Sequence, residues 1–165
     1  MAIPMRVQDY LQQRQINYDV LRHPYSEGSE YTARVAGVPA ARVVKAVLTE
    51  DHEGRHLLAL IPADHHLSLY RLDSALQRRF HLVSESEVTA LFLDCARGAV
   101  PALGNAYHLE TVVDDALLQQ EDLYLEAGDH EDLIHLSGKQ FRALMRDAPH
   151  GDFSSNRELE YRIYS

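Results

Sequence analysis

The sequence predicts a single domain of the α/β (α+β) class. Its 165 residues are the length of one ordinary domain, and 45% of them are hydrophobic, which is enough to bury one sizeable core. Apolar positions at helical spacing alternate along the chain with short β-branched runs, so helices and strands are expected in turn. The periodicity disappears near the end. We therefore expect the domain to span residues 1–147 and a tail to span residues 148–165.

In the first half of the chain, periodicity predicts two helices and three strands. Residues 4–15 carry an apolar stripe at helical spacing, with Pro4 suited to the first turn. The alternation over residues 16–23 predicts a strand, and residues 30–36 form a helix that stops before the next glycine. Two apolar runs that flank a polar turn predict a β-hairpin, with strands at residues 43–49 and 57–61.

The second half of the chain continues this alternation. A short extended piece at residues 67–69 precedes a helix over residues 71–78. Ser84 and Glu87 have the spacing of a capping box, which begins a helix that ends near Phe92. The remaining predicted elements are a strand over 107–113, a helical turn over 114–118, strands over 123–126 and 133–136, and a helix begun by a second capping box at Ser137.

Charge and hydropathy exclude several classes of partner. The formal charge is −9 and the pI is about 5.5, whereas non-specific affinity for nucleic acid comes from clustered Lys and Arg, so we expect no DNA partner. No apolar run approaches the roughly 20 residues that span a bilayer, and the first residues lack the apolar region of a signal peptide. We expect a cytoplasmic protein without membrane contact. The single cysteine, Cys95, fits a reducing compartment.

Ten histidines invite a metal hypothesis, which their local spacing does not favour. His52 and His56 flank a predicted glycine turn, while His65 and His66 would point to opposite faces of a strand. Cys95 has no neighbouring motif that would lower the pKa of its thiol. We therefore predict neither a metal site nor covalent catalysis, and a metal-dependent hydrolase stays as an alternative.

Two stretches carry candidate chemistry. Lys45 interrupts an apolar strand, where an unpaired buried ammonium is costly, so we expect it to point into a cleft. A lysine that protects a sheet edge from aggregation is the alternative. In the loop over residues 94–104, Gly98 and Gly104 flank Pro101. Such a loop presents its backbone to a ligand or is an ordinary connection.

Four segments resemble, in order and spacing, the YbaK/ProRS-associated family of aminoacyl-tRNA editing domains: residues 32–38, 43–48, 94–104 and 126–137. The resemblance covers roughly residues 5–147. It implies a curved mixed central sheet surrounded by helices. It also implies hydrolysis of the ester of a mischarged tRNA in trans, of the prolyl-tRNA editing type, without a cofactor. The implied partners are the acceptor end of an aminoacyl-tRNA and an aminoacyl-tRNA synthetase.

The same resemblance implies a set of site residues. Lys45 would be the catalytic residue and face the acylated 3′ end, where a compact cation suits a phosphate or an ester oxygen. His130 would position the attacking water or a substrate hydroxyl. Members of the family commonly carry proline where this chain has Ala102. The other residues expected to bind substrate are His23, Gly98, Ala99, Val100, Pro101, Gly104, Ala127 and Gly128.

A non-catalytic binding module of the same fold is the alternative function. It would recognise a small amino-acid-like ligand or a partner protein, and the acidic charge favours it. A deacylation assay across mischarged tRNAs separates the two functions. For contact with tRNA the chain offers two sets of arginines: Arg71, Arg78 and Arg79, or Arg34 and Arg42.

Overall fold

The computed structural model describes residues 2–156, which contain six α-helices and ten strands. The helices are α1 (Met5–Gln13), α2 (Ser29–Ala36), α3 (Leu69–Leu76), α4 (Glu85–Leu91), α5 (Asp115–Leu118) and α6 (Gly138–Leu144). The strands are β1 (Asp19–Arg22), β2 (Val43–Asp51), β3 (His56–Pro62), β4 (His66–Leu67), β5 (Phe80–Leu82), β6 (Glu110–Asp114), β7 (Asp122–Glu126), β8 (Asp132–Ser137), β9 (His150–Gly151) and β10 (Ser154–Ser155). Short 3₁₀ turns occupy Ala40–Arg42 and Gly104–Tyr107.

Eight of these strands form one mixed sheet. Its order is β1-β8-β7-β2-β3-β6-β9, and β5 pairs with β2 outside this path. The predicted hairpin is confirmed, because β2 and β3 are antiparallel neighbours, while β2 runs parallel to β7 and β3 parallel to β6. The strands β4 and β10 form a separate two-stranded ribbon. The predicted α/β class, with a mixed sheet surrounded by helices, is thus confirmed.

Helices cover both faces of this sheet. On one face, α1 and α6 bury Val7, Leu11 and Phe141 in the main core. On the other face, Leu72 of α3 packs in a second core with Phe153. Strand β3 is buried on both faces. Its successive side chains therefore pack alternately into the two cores, and its sequence is apolar almost throughout. The residues of β3 that divide in this way are Leu58 and Leu60 on one face, and Leu57, Ala59 and Ile61 on the other.

The predicted helix boundaries follow from their caps. The Ser84 hydroxyl accepts a hydrogen bond from the Glu87 amide, and the Ser137 hydroxyl accepts one from the Gln140 amide, as the two capping boxes predict. Helix α2 ends at Gly37, which has φ of 73° and the left-handed conformation typical of such ends. Within residues 2–156, no helix has the length and hydrophobicity to cross a bilayer.

The end of the chain departs from the sequence expectation. Residues 148–156 are joined to the domain, because β9 pairs with β6, β10 pairs with β4, and Phe153 is buried. The Asp114 carboxylate accepts hydrogen bonds from the Phe153 amide and the Ser154 hydroxyl, both at 2.8–2.9 Å. Two-residue strands are too short to show periodicity. The rest of the predicted tail, residues 157–165, lies outside the described residues.

Candidate functional site

A small cavity opens where strand β2 changes partners. On one side, β2 pairs with β7 only at Val43 and Val44 and with β5 only over Thr49–Asp51. Residues 45–48 therefore have no strand partner on that side within the described chain. The cavity beside this gap has a volume of about 90 Å³. Its walls come from the start of α2, from β2, from the loop after α4 and from the end of β7: Gly28, Ser29, Thr32, Val43, Val44, Ala46, Gly98, Val100, Glu126, His130 and Leu133.

The loop after α4 and the loop after β7 meet at this cavity. Gly98 has φ of 80°, a conformation that other residues rarely adopt, and a β-carbon there would lie 3.9 Å from Nε2 of His130. The His130 Nε2–H donates to the Arg97 carbonyl at 2.6 Å, and the Ala96 amide donates to the Gly128 carbonyl at 2.7 Å. Two of the expected site segments are thus held together by hydrogen bonds.

Glu126 supplies a carboxylate that the sequence argument did not single out. It ends β7 and lines the cavity. One of its oxygens accepts a hydrogen bond from the Gly128 amide at 2.8 Å, and the other lies 3.8 Å from Nδ1 of His130. Burial raises the pKa of the Glu126 carboxyl above its ordinary value. The cavity therefore ends at an anchored, partly desolvated carboxyl group.

A pair of aspartates fixes the turn that carries His130. Oδ1 of Asp129 accepts hydrogen bonds from the amides of Glu131 and Asp132, at 3.0 and 2.8 Å. His130 itself adopts the left-handed conformation, with φ of 63°. Burial and the neighbouring Asp129 raise the pKa of Asp132 to about 6. The two carboxyl groups share a proton most readily in mildly acidic solution.

Replacing Asp132 by asparagine should stabilise the protein at neutral pH. The native pKa of Asp132 is about 6 and its ordinary value is 3.8, so the native state holds this proton more tightly than the unfolded state. Ionisation therefore costs stability as the pH rises from about 4 to 6. An Asp132→Asn side chain keeps a hydrogen-bond donor towards Asp129 without that cost. We expect a gain of about 1 kcal/mol at pH 7.5 and about a third of that gain at pH 4.5, measured by urea unfolding. Equal effects at both pH values would contradict this assignment.

His23 is linked to the cavity wall through hydrogen-bonded side chains. Its buried ring donates from Nδ1 to the Pro24 carbonyl at 2.8 Å, and Nδ1 lies 3.3 Å from the Ser26 hydroxyl. The Ser26 hydroxyl in turn lies 2.7 Å from that of Thr32, which lines the cavity. His23 therefore reaches the wall through two hydroxyl groups and is not itself part of it.

Lys45 stands beside the cavity, half-buried in β2. Its neighbours Val44 and Ala46 belong to the wall, and the lysine side chain alternates with theirs along the strand. Burial lowers the pKa of Lys45, while the charge of Glu30 at the start of α2 opposes this by favouring the ammonium. Lys45 itself does not line the cavity, and its ammonium lies near Glu30 in the first turn of α2.

Three other residues of the expected loop do not line the cavity. Ala99 and Pro101 are buried beside the two wall residues of this loop. Gly104 is buried as well, and a β-carbon there would collide with the Thr111 hydroxyl and come within 3.1 Å of the Leu109 carbonyl. Gly104 does not line the cavity, and the absence of a side chain there lets the loop approach β6 closely.

Ala127 and Gly128 also serve packing. Ala127 belongs to the main core. Gly128 has φ of 117°, and a β-carbon there would lie 3.0 Å from the Pro4 ring and 3.1 Å from Sγ of Cys95. Burial raises the pKa of the Cys95 thiol to about 12, so this thiol stays protonated. An activated cysteine nucleophile is not available beside the loop.

The arginines expected to contact RNA have different surroundings. Arg78 is mostly buried and pairs with Asp51 and Glu110, each at 2.9 Å. Arg71 pairs with Asp152 at 2.8 Å. In contrast, Arg34 is exposed on α2 and lies over the ring of Tyr31, 5.6 Å from its centre. Arg34 is thus exposed on a helix that borders the cavity, whereas Arg42 pairs with Asp122 at 3.7 Å.

The sequence matches a known protein family. The profile of the aminoacyl-tRNA editing domain family matches residues 23–144. No protein of curated function matches the chain in sequence.

Several solved structures share the fold. The hypothetical protein APE2540 superposes with a TM-score of 0.80 at 22% identity, over 91% of this chain and 99% of that one. A proposed trans-editing enzyme for prolyl-tRNA synthetase has a TM-score of 0.78 at 23% identity, over 92% and 96% of the two chains. A proposed signal transduction protein from Marinobacter aquaeolei VT8 has a TM-score of 0.74 at 22% identity, over 93% of this chain and 31% of that one. Such low identities establish likeness of fold alone.

Proposed function

Because the chain belongs to the aminoacyl-tRNA editing domain family, we propose that it removes the amino acid from a mischarged tRNA by hydrolysing the ester bond in trans. Family membership supports a role in tRNA editing. The observation that carries the proposed chemistry is the cavity itself, which combines apolar wall residues with the partly desolvated carboxyl group of Glu126 and adjoins Lys45 of β2. This is the arrangement that a small aminoacyl ester requires.

The size of the cavity supports a small aminoacyl group. Its volume is about 90 Å³, whereas an apolar cavity that holds benzene measures about 150 Å³. The walls are apolar at Val44, Val100 and Leu133. Small aliphatic side chains therefore fit, and aromatic ones do not.

The polar end of the cavity suits the α-ammonium group of the ester. The amides of Gly128 and Asp129 both donate to Oε2 of Glu126, which leaves Oε1 available to accept from a cation. A charge-assisted hydrogen bond in such a partly desolvated place is stronger than one in water. His130 then packs against the bound group, with its ring orientation fixed by the Arg97 carbonyl.

Lys45 would act on the scissile group outside this pocket. Water attacks the ester carbonyl carbon, and the bond to the ribose oxygen then breaks, leaving a free amino acid and a tRNA hydroxyl. The ammonium of Lys45 stabilises negative charge on the ester oxygen or the adjacent phosphate. The neighbouring ribose hydroxyl assists by relaying a proton. The protonated thiol of Cys95 takes no part.

Exposed aromatic rings beside the cavity would receive the acceptor end. Tyr25 is 59% exposed, and its ring contacts His130 edge-on with 5.2 Å between the ring centres. Tyr31 is 50% exposed and carries Arg34 over its ring. Unpaired RNA bases stack on such rings, and arginine contributes charge. We propose a tRNA of the prolyl type, a synthetase as the partner that supplies it, and the cytoplasm as the place of action.

A deacylation assay across mischarged tRNAs tests this proposal. The panel should carry alanine, serine, valine and phenylalanine on the same tRNA. We expect hydrolysis of the smallest groups and none above background for phenylalanine, because the cavity excludes an aromatic ring. Equal rates for alanine and phenylalanine would contradict binding of the side chain in this cavity.

The pH dependence of the reaction should reveal the ionisation of the Glu126 carboxyl group. The carboxylate must be ionised to bind the α-ammonium, and burial raises its pKa above the ordinary value of 4.5. The value of kcat/KM should therefore fall as the pH drops through that raised pKa. Glu126→Gln should lower kcat/KM by about 10-fold to 100-fold and remove this acid limb, since a charge-assisted bond contributes about 1.5–3 kcal/mol.

The matched control for this experiment is Glu131→Gln in the same loop. Glu131 pairs with Arg22 at 3.2 Å and does not line the cavity. We expect it to keep the wild-type pH profile. An unchanged acid limb in Glu126→Gln would assign the titration to another group.

A further inference from the structure

A second cluster of chemically active side chains lies at the far end of β2. The register pairs Glu50 of β2 with His56 of β3 on one side and with His81 of β5 on the other. Directly paired residues have their side chains on one face, with β-carbons about 4.5–5.5 Å apart. Three strands thus hold His56, Glu50 and His81 in a row, and Glu87 reaches this row from α4.

The donor atoms of this row converge. Nε2 of His56 lies 3.2 Å from one oxygen of Glu50 and 2.6 Å from Glu87, and Nε2 of His81 lies 3.1 Å from the other oxygen of Glu50. One ligand atom from each of Glu50, His56 and Glu87 falls within 4.8 Å of the others. Ligands of a tetrahedral ion with bonds of about 2.0–2.1 Å stand about 3.3 Å apart, so small side-chain shifts would admit an ion.

Hydrogen bonds alone satisfy this cluster poorly. Nε2 of His56 has one proton to give, yet it faces carboxylate oxygens of both Glu50 and Glu87. Those two carboxylates lie close enough to interact directly. A divalent cation would neutralise both and accept an imidazole nitrogen from each histidine. Two imidazoles with two carboxylates are a donor set that suits zinc and similar transition metals.

We propose that Glu50, His56 and Glu87, with His81 as a further donor beside Glu50, form a binding site for a divalent transition-metal ion of the zinc class. The side chains are between 23% and 58% exposed, which leaves a path for the ion. Glu50 lies four residues beyond Ala46 along β2, about 13 Å from the cavity wall. The ion is therefore structural, and it joins β2, β3 and β5 to α4. The site does not depend on the proposed editing function.

Titration of the full chain with Zn²⁺ tests the proposal. Protein freed of metal by a chelator is titrated by calorimetry, and its thermal unfolding is followed with and without Zn²⁺. We expect one saturable site with a dissociation constant in the micromolar range or below, and a higher Tm with Zn²⁺. His56→Ala and His81→Ala should each weaken binding about 10-fold or more.

His52→Ala is the matched control. His52 is exposed in the adjoining hairpin turn, where it lies 3.7 Å from Glu53 and outside the cluster. This variant should bind Zn²⁺ like the wild type. His81 is 58% exposed, so His81→Ala keeps the test valid even if His56→Ala unfolds. The proposal is overturned by the absence of saturable binding to the wild type, or by binding that survives both cluster variants. Equal loss in His52→Ala would also overturn it.

Discussion

Lys45→Ala is expected to slow deacylation by about 100-fold or more while the protein stays folded. Removing one group that stabilises developing negative charge costs about 2.7–4 kcal/mol of transition-state stabilisation. The Lys45 side chain is half-buried, and the neighbouring Val44 supplies the packing of this part of the strand. Single-turnover release of the amino acid measures the effect, and circular dichroism checks the fold.

Two further variants test whether the effect is specific to Lys45 and to its ammonium group. Lys139→Ala removes the chain's other lysine, which is exposed on α6, and it should leave the rate unchanged. Lys45→Arg should recover only part of the activity, because a guanidinium group is larger and planar. A wild-type rate in folded Lys45→Ala would exclude Lys45 from the reaction.

Gly98→Val is expected to abolish deacylation. Gly98 has φ of 80°, which a β-branched residue rarely adopts, and its β-carbon would start 3.9 Å from Nε2 of His130. The methyl groups would extend from there into the cavity and press on the bond between His130 and the Arg97 carbonyl. Both the space for the aminoacyl group and the orientation of the imidazole would be lost.

Gly54→Val separates this local effect from backbone strain. Gly54 has φ of 83° in the β2–β3 turn, and a β-carbon there has no atom within 4 Å. The two variants therefore carry similar strain, about 1–2 kcal/mol, and only Gly98→Val alters the cavity. Full activity in folded Gly98→Val would show that the loop is a connection and does not seat the ester.

The sequence predicted most elements of the fold because they are long enough to show their periods. The helices begin at capping serines such as Ser84, and the hairpin strands are apolar on both faces. Strands β5, β9 and β10 were missed, since two or three residues give no alternation. These strands are held by residues far away in the sequence. The Asp114 carboxylate, for example, accepts a hydrogen bond from the Phe153 amide.

The candidate site was predicted less completely. Gly98, Val100 and His130 do line one cavity, whereas Gly104 and Gly128 allow close packing elsewhere. Sequence alone does not separate these roles, because glycine serves a ligand approach and a backbone contact equally well. Glu126 was missed, although an acidic residue that ends a buried strand is a usable signal.

The cluster of Glu50, His56, His81 and Glu87 could not be predicted from the sequence, for a different reason. Spacing along the chain reveals only pairs such as His52 and His56, which are close in sequence. The cluster arises from strand register, which places His56 and His81 on opposite sides of Glu50. Register between β2 and β5 is a tertiary property, and the short strand β5 was not predicted.

The most direct test of the central claim is single-turnover deacylation of a tRNA mischarged with a small amino acid, with the wild-type chain in excess. We expect release of the free amino acid at a rate far above that of the uncatalysed ester, unaffected by a chelator because the proposed metal site lies away from the cavity. Binding of the charged tRNA without release would contradict the claim, and it would identify the chain as a non-catalytic binding module of the same fold.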